Sequence, residues 1–202
     1  DDNKNIKKNF ASILAIQMFY VAVFVFLFYT LGNLTNIIDT VSMVISGIAT
    51  GGVKPVSNFS ALMQYPNNLL LCLLMFIAAV SFPIHQKVFS GSLEAFNKEF
   101  VIFVLIICLA SLAIHFFLKW DLVTAFFHAI SASASSGFST ANLTQLSEGA
   151  KILFILLMFV GGMSLSPANG IRVARLMMFF KSIPWAIKNV LREKHEPFFF
   201  NG

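Results

Sequence analysis

The hydrophobic positions gather into four long blocks, at approximately 10–31, 67–84, 100–118 and 150–166. The last resumes after an interruption and reaches Phe180. A bilayer-spanning helix needs roughly 20 mainly apolar residues. The stretch from Ile13 to Leu31 carries no charge, which predicts a spanning helix rather than a buried core helix. Between the members of each pair of blocks lies a shorter, more polar segment. Residues 36–55 read NIIDTVSMVISGIATGGVKP, and residues 121–140 read DLVTAFFHAISASASSGFST. Aligned without a gap, Ile45-Ser46 falls on Ile130-Ser131, Ala49 on Ala134, Thr50 on Ser135 and Gly52 on Gly137. A second echo follows, MFIAAVSFP at 75–83 and MFVGGMSLSP at 158–167. The unit is therefore helix, loop-bearing segment, helix, used more than once.

Each repeated segment predicts a short helix, Asn36 to Ala49 and Asp121 to Ala134, with Asn36 (or Asp39) and Asp121 as N-cap types. Such a helix measures roughly 20 Å, too short for a hydrocarbon core of about 30 Å. The chain must turn back through Ala49-Thr50-Gly51-Gly52-Val53 and Ala134-Ser135-Ser136-Gly137-Phe138, so each segment is expected to enter the membrane and return. Non-helical backbone at that depth is tolerated where it lines a cavity or is buried in protein. A helix C-terminus followed by glycine-bearing carbonyls suits a cation. The competing reading is a pair of packing loops whose small residues serve helix contact.

The second interruption, Gly161-Gly162-Met163-Ser164-Leu165-Ser166-Pro167-Ala168-Asn169-Gly170, predicts an unwound stretch within the last span. Proline breaks the helical ladder there and three glycines ease the unwinding. It reads either as a flexible barrier beneath the loops or as a simple kink. Its first-repeat counterpart, Ala78 to Pro83, lacks the glycines, and is expected to run unbroken to its end at the cytoplasm.

Composition agrees with a membrane setting, being 57% hydrophobic and 11% charged, with 24 Phe. Eleven of the 14 Lys and Arg fall before the first block, between the repeats, or after the last. The positive-inside rule then places both termini and the central linker in the cytoplasm. The net charge of +5 fits a cytoplasmic flank facing anionic lipid and requires no nucleic acid. The first block is too long for a signal peptide and lacks a small-residue cleavage site after it. Cys72 and Cys108 read as small apolar residues within spans, and His85, His115, His128 and His195 form no metal or catalytic spacing. His128 is expected to be packed or hydrogen-bonded structurally. No enzyme signature is present.

These residues resemble the Trk/Ktr/HKT superfamily of potassium transporters. Thr50-Gly51-Gly52 is similar to the filter of that family's second repeat, and Ser136-Gly137-Phe138-Ser139-Thr140 to that of its third. Ser81-Phe82-Pro83-Ile84-His85 resembles the end of the second inner helix, and 159–175 the third. His195 to Gly202 resembles the linker before a fourth repeat. The gate segment departs from the family pattern at Ser166-Pro167-Ala168-Asn169-Gly170, and Lys54 follows the first filter closely. At about 8 Å in water a lysine would oppose a monovalent cation by only about 0.5 kcal/mol.

The resemblance implies an all-α integral membrane fold with about two of four helix, re-entrant pore loop, helix repeats. It divides into a cytoplasmic segment 1–9, a first repeat 10–85, a cytoplasmic linker 86–99, a second repeat 100–181 and a tail 182–202. It implies monovalent cation uptake, potassium above all, across the cell membrane. A filter would comprise Ala49, Thr50, Gly51, Gly52, Val53, Ala134, Ser135, Ser136, Gly137 and Phe138. A gate loop would comprise Gly161, Gly162, Ser164, Ser166, Pro167, Asn169 and Gly170. Potassium would be the transported ligand, with no covalent cofactor. The implied partners are the lipid bilayer, first and fourth repeats of a longer chain, a second copy in a homodimer, and a cytoplasmic nucleotide-binding regulatory subunit. The start at Asp rather than Met favours a piece of a longer chain over two copies pairing to complete a pore. Backbone ligands carry no side-chain label, so sodium stays open beside potassium. Two other readings stay open as well, a non-conducting membrane subunit and a solute transporter built on a broken helix.

Overall fold

The structure is a computed structural model that describes residues 2–32, 34, 36–54, 59–91 and 97–192. Pro55, His195 and the rest of 193–202, and residues 92–96 of the central linker, lie outside the described residues. All regular structure among the described residues is helical: α1 (Asp2–Thr30), α2 (Ile37–Ile48), α3 (Phe59–Leu62), α4 (Asn67–Ala79), α5 (Phe82–Phe89), α6 (Lys98–Leu118), α7 (Leu122–Ser133), α8 (Glu148–Val160), α9 (Val173–Arg192) and a 3₁₀ turn at Leu143–Gln145. Asn9–Thr30 of α1 and Lys98–Leu118 of α6 are each long and apolar enough to cross a bilayer, and the bent pair α4–α5 qualifies as a third span. The protein is an all-helical membrane protein.

The two repeats fold alike. In the first, α1 packs against α2, α4 and α5; in the second, α6 packs against α7, α8 and α9. Contacts between α4 and α7 join them. The core between the repeats is built from Phe28, Val44, Leu74, Phe103, Ile130 and Met163, with smaller residues around them. A second cluster, rich in alanine, packs α6, α7 and α8 together. Large apolar side chains such as Phe10, Phe26, Leu105, Phe116 and Ile155 stand exposed on the outer faces, as expected where lipid rather than water is the solvent.

Both short helices form where the sequence places them. Asn36 caps α2 by accepting the Ile38 N–H at 3.1 Å, and Asp121 caps α7 by accepting that of Val123 at 3.2 Å. Each runs 12 residues, about 18 Å.

The inner helix of the first repeat differs from expectation. It does not run unbroken; α4 stops at Ala79 and α5 leaves at 102°. The cause is Pro83. In a continuous helix its ring would clash with the carbonyl four residues earlier, which is that of Ala79. That carbonyl is used elsewhere, accepting the Met163 N–H at 3.1 Å from the second repeat. The Ile77 carbonyl, which accepts the Val80 N–H at 3.1 Å, also lies 3.1 Å from His85 Nε2, whose Nδ1 lies 3.0 Å from the Tyr20 hydroxyl on α1. Both inner helices are therefore broken after 13 residues. At the other end, α9 runs through Lys181 to Arg192, so the expected edge of the second repeat falls inside a helix. Likewise α1 starts at Asp2, so the expected N-terminal segment is already helical.

Candidate ion filter and gate

Each short helix ends in the same backbone turn. The Thr50 N–H bonds to the Gly47 carbonyl at 3.3 Å, and that of Gly51 to Ser46 at 2.7 Å. The Ser135 N–H bonds to Ala132 at 3.0 Å, and that of Ser136 to Ser131 at 3.0 Å. This pairing is a Schellman motif, which closes a helix through one left-handed residue, usually glycine. Here the left-handed residues are Thr50 (φ 53°) and Ser135 (φ 54°). A non-glycine residue there costs roughly 1–2 kcal/mol. Two residues on, Gly52 (φ 65°) and Gly137 (φ 73°) are left-handed again.

The serines at the last turns strap these loops down. Ser46 Oγ accepts the Val53 N–H at 2.7 Å, and Ser131 Oγ donates to the Phe138 carbonyl at 2.6 Å. These serines belong to the machinery of the loops although only the ten residues that follow were expected to. Their coincidence in the internal repeat was the signal that marked them.

The two loops meet at their glycines. A Cβ placed on Gly137 would lie 3.6 Å from the Gly52 Cα; one placed on Gly52 would lie 2.4 Å from the Ser136 carbonyl oxygen. The structure thus brings the expected segments 49–53 and 134–138 together, with the C-termini of α2 and α7 leading into the meeting point. Those helix ends carry partial negative charge. Ser133 Oγ and Ser136 Oγ are buried there without a hydrogen-bond partner among the described residues. The flanks are braced as well. Phe138 stacks on Phe59 at 5.4 Å, and Lys54 Nζ lies 5.3 Å from the centre of the Phe59 ring while donating to the Ser139 carbonyl at 3.3 Å. His128 takes a structural place, with Nδ1 2.8 Å from the Thr124 carbonyl and Nε2 accepting the Ala141 N–H at 3.4 Å.

The segment 161–172 is non-helical and closed on itself. The last carbonyls of α8 would lack partners at a free helix end. Instead Phe159 accepts the Ile171 N–H and Val160 that of Arg172, both at 2.9 Å. The two ends cross so closely that a Cβ on Gly161 would sit 2.0 Å from the Asn169 carbonyl oxygen. A Cβ on Gly170 would sit 2.7 Å from the Gly161 Cα. Within the loop, Ser166 Oγ donates to the Met163 carbonyl at 2.7 Å. The loop is held from three sides. Pro167 O accepts the Thr50 hydroxyl at 3.3 Å, which joins this loop to the turn that ends α2. Leu165 O accepts the Phe82 N–H at 3.0 Å from the first repeat's break. Glu99, on the first turn of α6, accepts the Ser164 N–H at 2.6 Å. Ile48, Ile77, His85 and Pro167 line a cavity of about 20 Å³ where these parts converge.

Two short helices whose glycine loops meet, set beside a closed loop in a broken inner helix, define an all-helical membrane fold built from two like repeats. A sequence profile of TrkH, described as a cation transport protein, matches residues 119–197. An uncharacterized cation transporter of Methanocaldococcus jannaschii is 29% identical over 189 residues, covering 91% of this chain and 38% of that one. The Trk system potassium uptake protein TrkH of Salmonella typhimurium is 26% identical over 156 residues, covering 71% of this chain and 32% of its own length. The crystal structure of the potassium transporter TrkH from Vibrio parahaemolyticus superposes with a TM-score of 0.78 at 19% identity, over 98% of this chain and 44% of that one. The chain is thus similar to the TrkH cation transport family over residues 119–197, and to TrkH potassium uptake proteins over most of its length. It spans about a third to two fifths of the length of the curated relatives named here.

Proposed function

We propose that this chain forms part of a passive uptake pathway for monovalent cations, potassium first among them. In this reading the carbonyls of 49–53 and 134–138 supply two parts of a selectivity filter, and the loop from Gly161 to Gly170 is its gate. The observation that carries the reading is the meeting of two identically built helix-end turns at Gly52 and Gly137, with Thr50 tied to the gate loop through Pro167. Backbone carbonyls held in this way can replace an ion's water shell at little reorganisation cost. The buried, unpartnered hydroxyls of Ser133 and Ser136 and the converging helix C-termini support a cationic occupant. The names of the relatives, a cation transporter and potassium uptake proteins, support the same substrate. A homodimer with a cytoplasmic nucleotide-binding regulator, and cytoplasmic termini as the Lys and Arg distribution implies, complete the proposal.

Rubidium uptake in cells deficient in potassium uptake tests it. The chain alone is compared with the chain joined to the flanking segments its relatives possess, and with that longer form carrying Gly137→Ser. Uptake by an unsubstituted form, with altered potassium-over-sodium preference in the variant, supports the filter. Folded protein at the membrane with no uptake in any form sinks the reading and favours a non-conducting subunit.

A further inference from the structure

We propose that α9 is an amphipathic anchor that docks on an anionic lipid surface, with its apolar stripe among the acyl chains and its cations on the headgroups. The helix emerges directly from the gate loop: the Val173 N–H bonds to the Gly162 carbonyl at 3.1 Å and that of Leu176 to Arg172 at 3.2 Å. Its start is packed, with Val173 buried and Met177 set against the core. Beyond that, Phe180 is 62% exposed, Ile183 42% and Ile187 55%. Leu176, Phe180, Ile183 and Ile187 follow one another at intervals of four, three and four, which aligns them as one stripe. Arg175, Ser182 and Asn189 recur every seven residues on one side of the remaining surface, and Lys181 and Lys188 do so on the other.

The charge identifies the occupant. The helix holds four Lys and Arg and no Asp or Glu, so its polar face matches phosphate-bearing headgroups. A soluble acidic partner would satisfy the cations but leave the phenylalanine and isoleucine stripe in water. A bilayer interface satisfies both faces at once, which is the signature of helices lying in the membrane plane. Because the α9 backbone is continuous with the loop's closing bonds, docking fixes the direction in which the gate loop leaves the protein.

The test places an environment-sensitive fluorophore on Ile183→Cys in a Cys72→Ser/Cys108→Ser background, with the protein reconstituted in vesicles. Vesicles of phosphatidylcholine are compared with vesicles that also contain phosphatidylglycerol, with doxyl-labelled lipid as quencher. The expected result is blue-shifted, lipid-quenched emission with phosphatidylglycerol, weakened by salt. Arg175→Gln and Lys188→Gln each weaken docking about fivefold, from about 1 kcal/mol per cation near an anionic surface. Both are exposed, so the substitutions spare the fold. Emission that is the same in the two vesicles, or indifferent to salt and to both substitutions, overturns the proposal. It would mean that protein, from a second copy or another segment, covers the stripe.

Discussion

Adding one methyl group at Gly52 or at Gly137, the glycines of the proposed filter, distinguishes the two loops sharply. Both glycines are left-handed, so Gly52→Ala and Gly137→Ala each incur roughly 1–2 kcal/mol of backbone strain. The difference is what the methyl meets. On Gly137 it finds the Gly52 Cα at 3.6 Å, an ordinary contact. On Gly52 it finds the Ser136 carbonyl oxygen at 2.4 Å and the Gly137 Cα at 3.2 Å, both backbone atoms that cannot rotate away. Relieving that overlap requires the loops to separate by about 1 Å, at a further cost of about 1–3 kcal/mol. Gly52→Ala is therefore the more damaging change, in both thermal stability and ion preference. The assay is rubidium uptake with sodium competition, alongside the melting temperature of each purified variant. Gly137→Ala should retain most of its potassium preference, and Gly52→Ala should lose it. Equal effects, or the reverse order, would refute the claim that the loops meet in this register.

Three further outcomes follow from named contacts. Lys54→Gln removes a charge beside the proposed filter and should raise the cation access rate about twofold at low ionic strength, from the roughly 0.5 kcal/mol expected in water; a salt series of initial uptake rates checks it, since screening should abolish the difference. Glu99→Ala deletes the acceptor of the Ser164 N–H, a charge-assisted bond of about 1.5–3 kcal/mol, and should increase cation leak, whereas Glu99→Gln keeps an acceptor oxygen and should restore much of the block. Pro83→Ala lets α4 extend, drawing the Ala79 carbonyl away from Met163, and hydrogen exchange at the Met163 amide should accelerate.

The features legible in the sequence were those decided locally. Asn36 and Asp121 are capping types beside short apolar runs, and the glycines that follow announce the ends, so both short helices fall within a residue of expectation. The unwound stretch 161–170 was visible for the same reason: Pro167 and three glycines disfavour a regular helix. The first repeat's break was not legible, because Pro83 reads equally well as a helix end. What decides it is a tertiary partner, the Met163 amide, which takes up the Ala79 carbonyl from 84 residues away along the chain. The roles of Ser46 and Ser131 were half legible. Their position repeats, but one accepts a bond from the returning loop and the other donates one, a distinction that depends on backbone orientation. Glu99 gave no signal at all, since a glutamate in the first turn of a helix is ordinary capping chemistry until its partner, the Ser164 amide, is seen.

The central claim is that a cation sits where the two loops meet, and anomalous scattering from thallium locates one directly. Crystals of the chain extended to the length of its relatives would be grown in potassium and exchanged into thallium. The account predicts anomalous density beside the carbonyls of 49–53 and 134–138, displaced by potassium. Well-ordered loops, still apposed at Gly52 and Gly137 but without density between them in thallium, would contradict it.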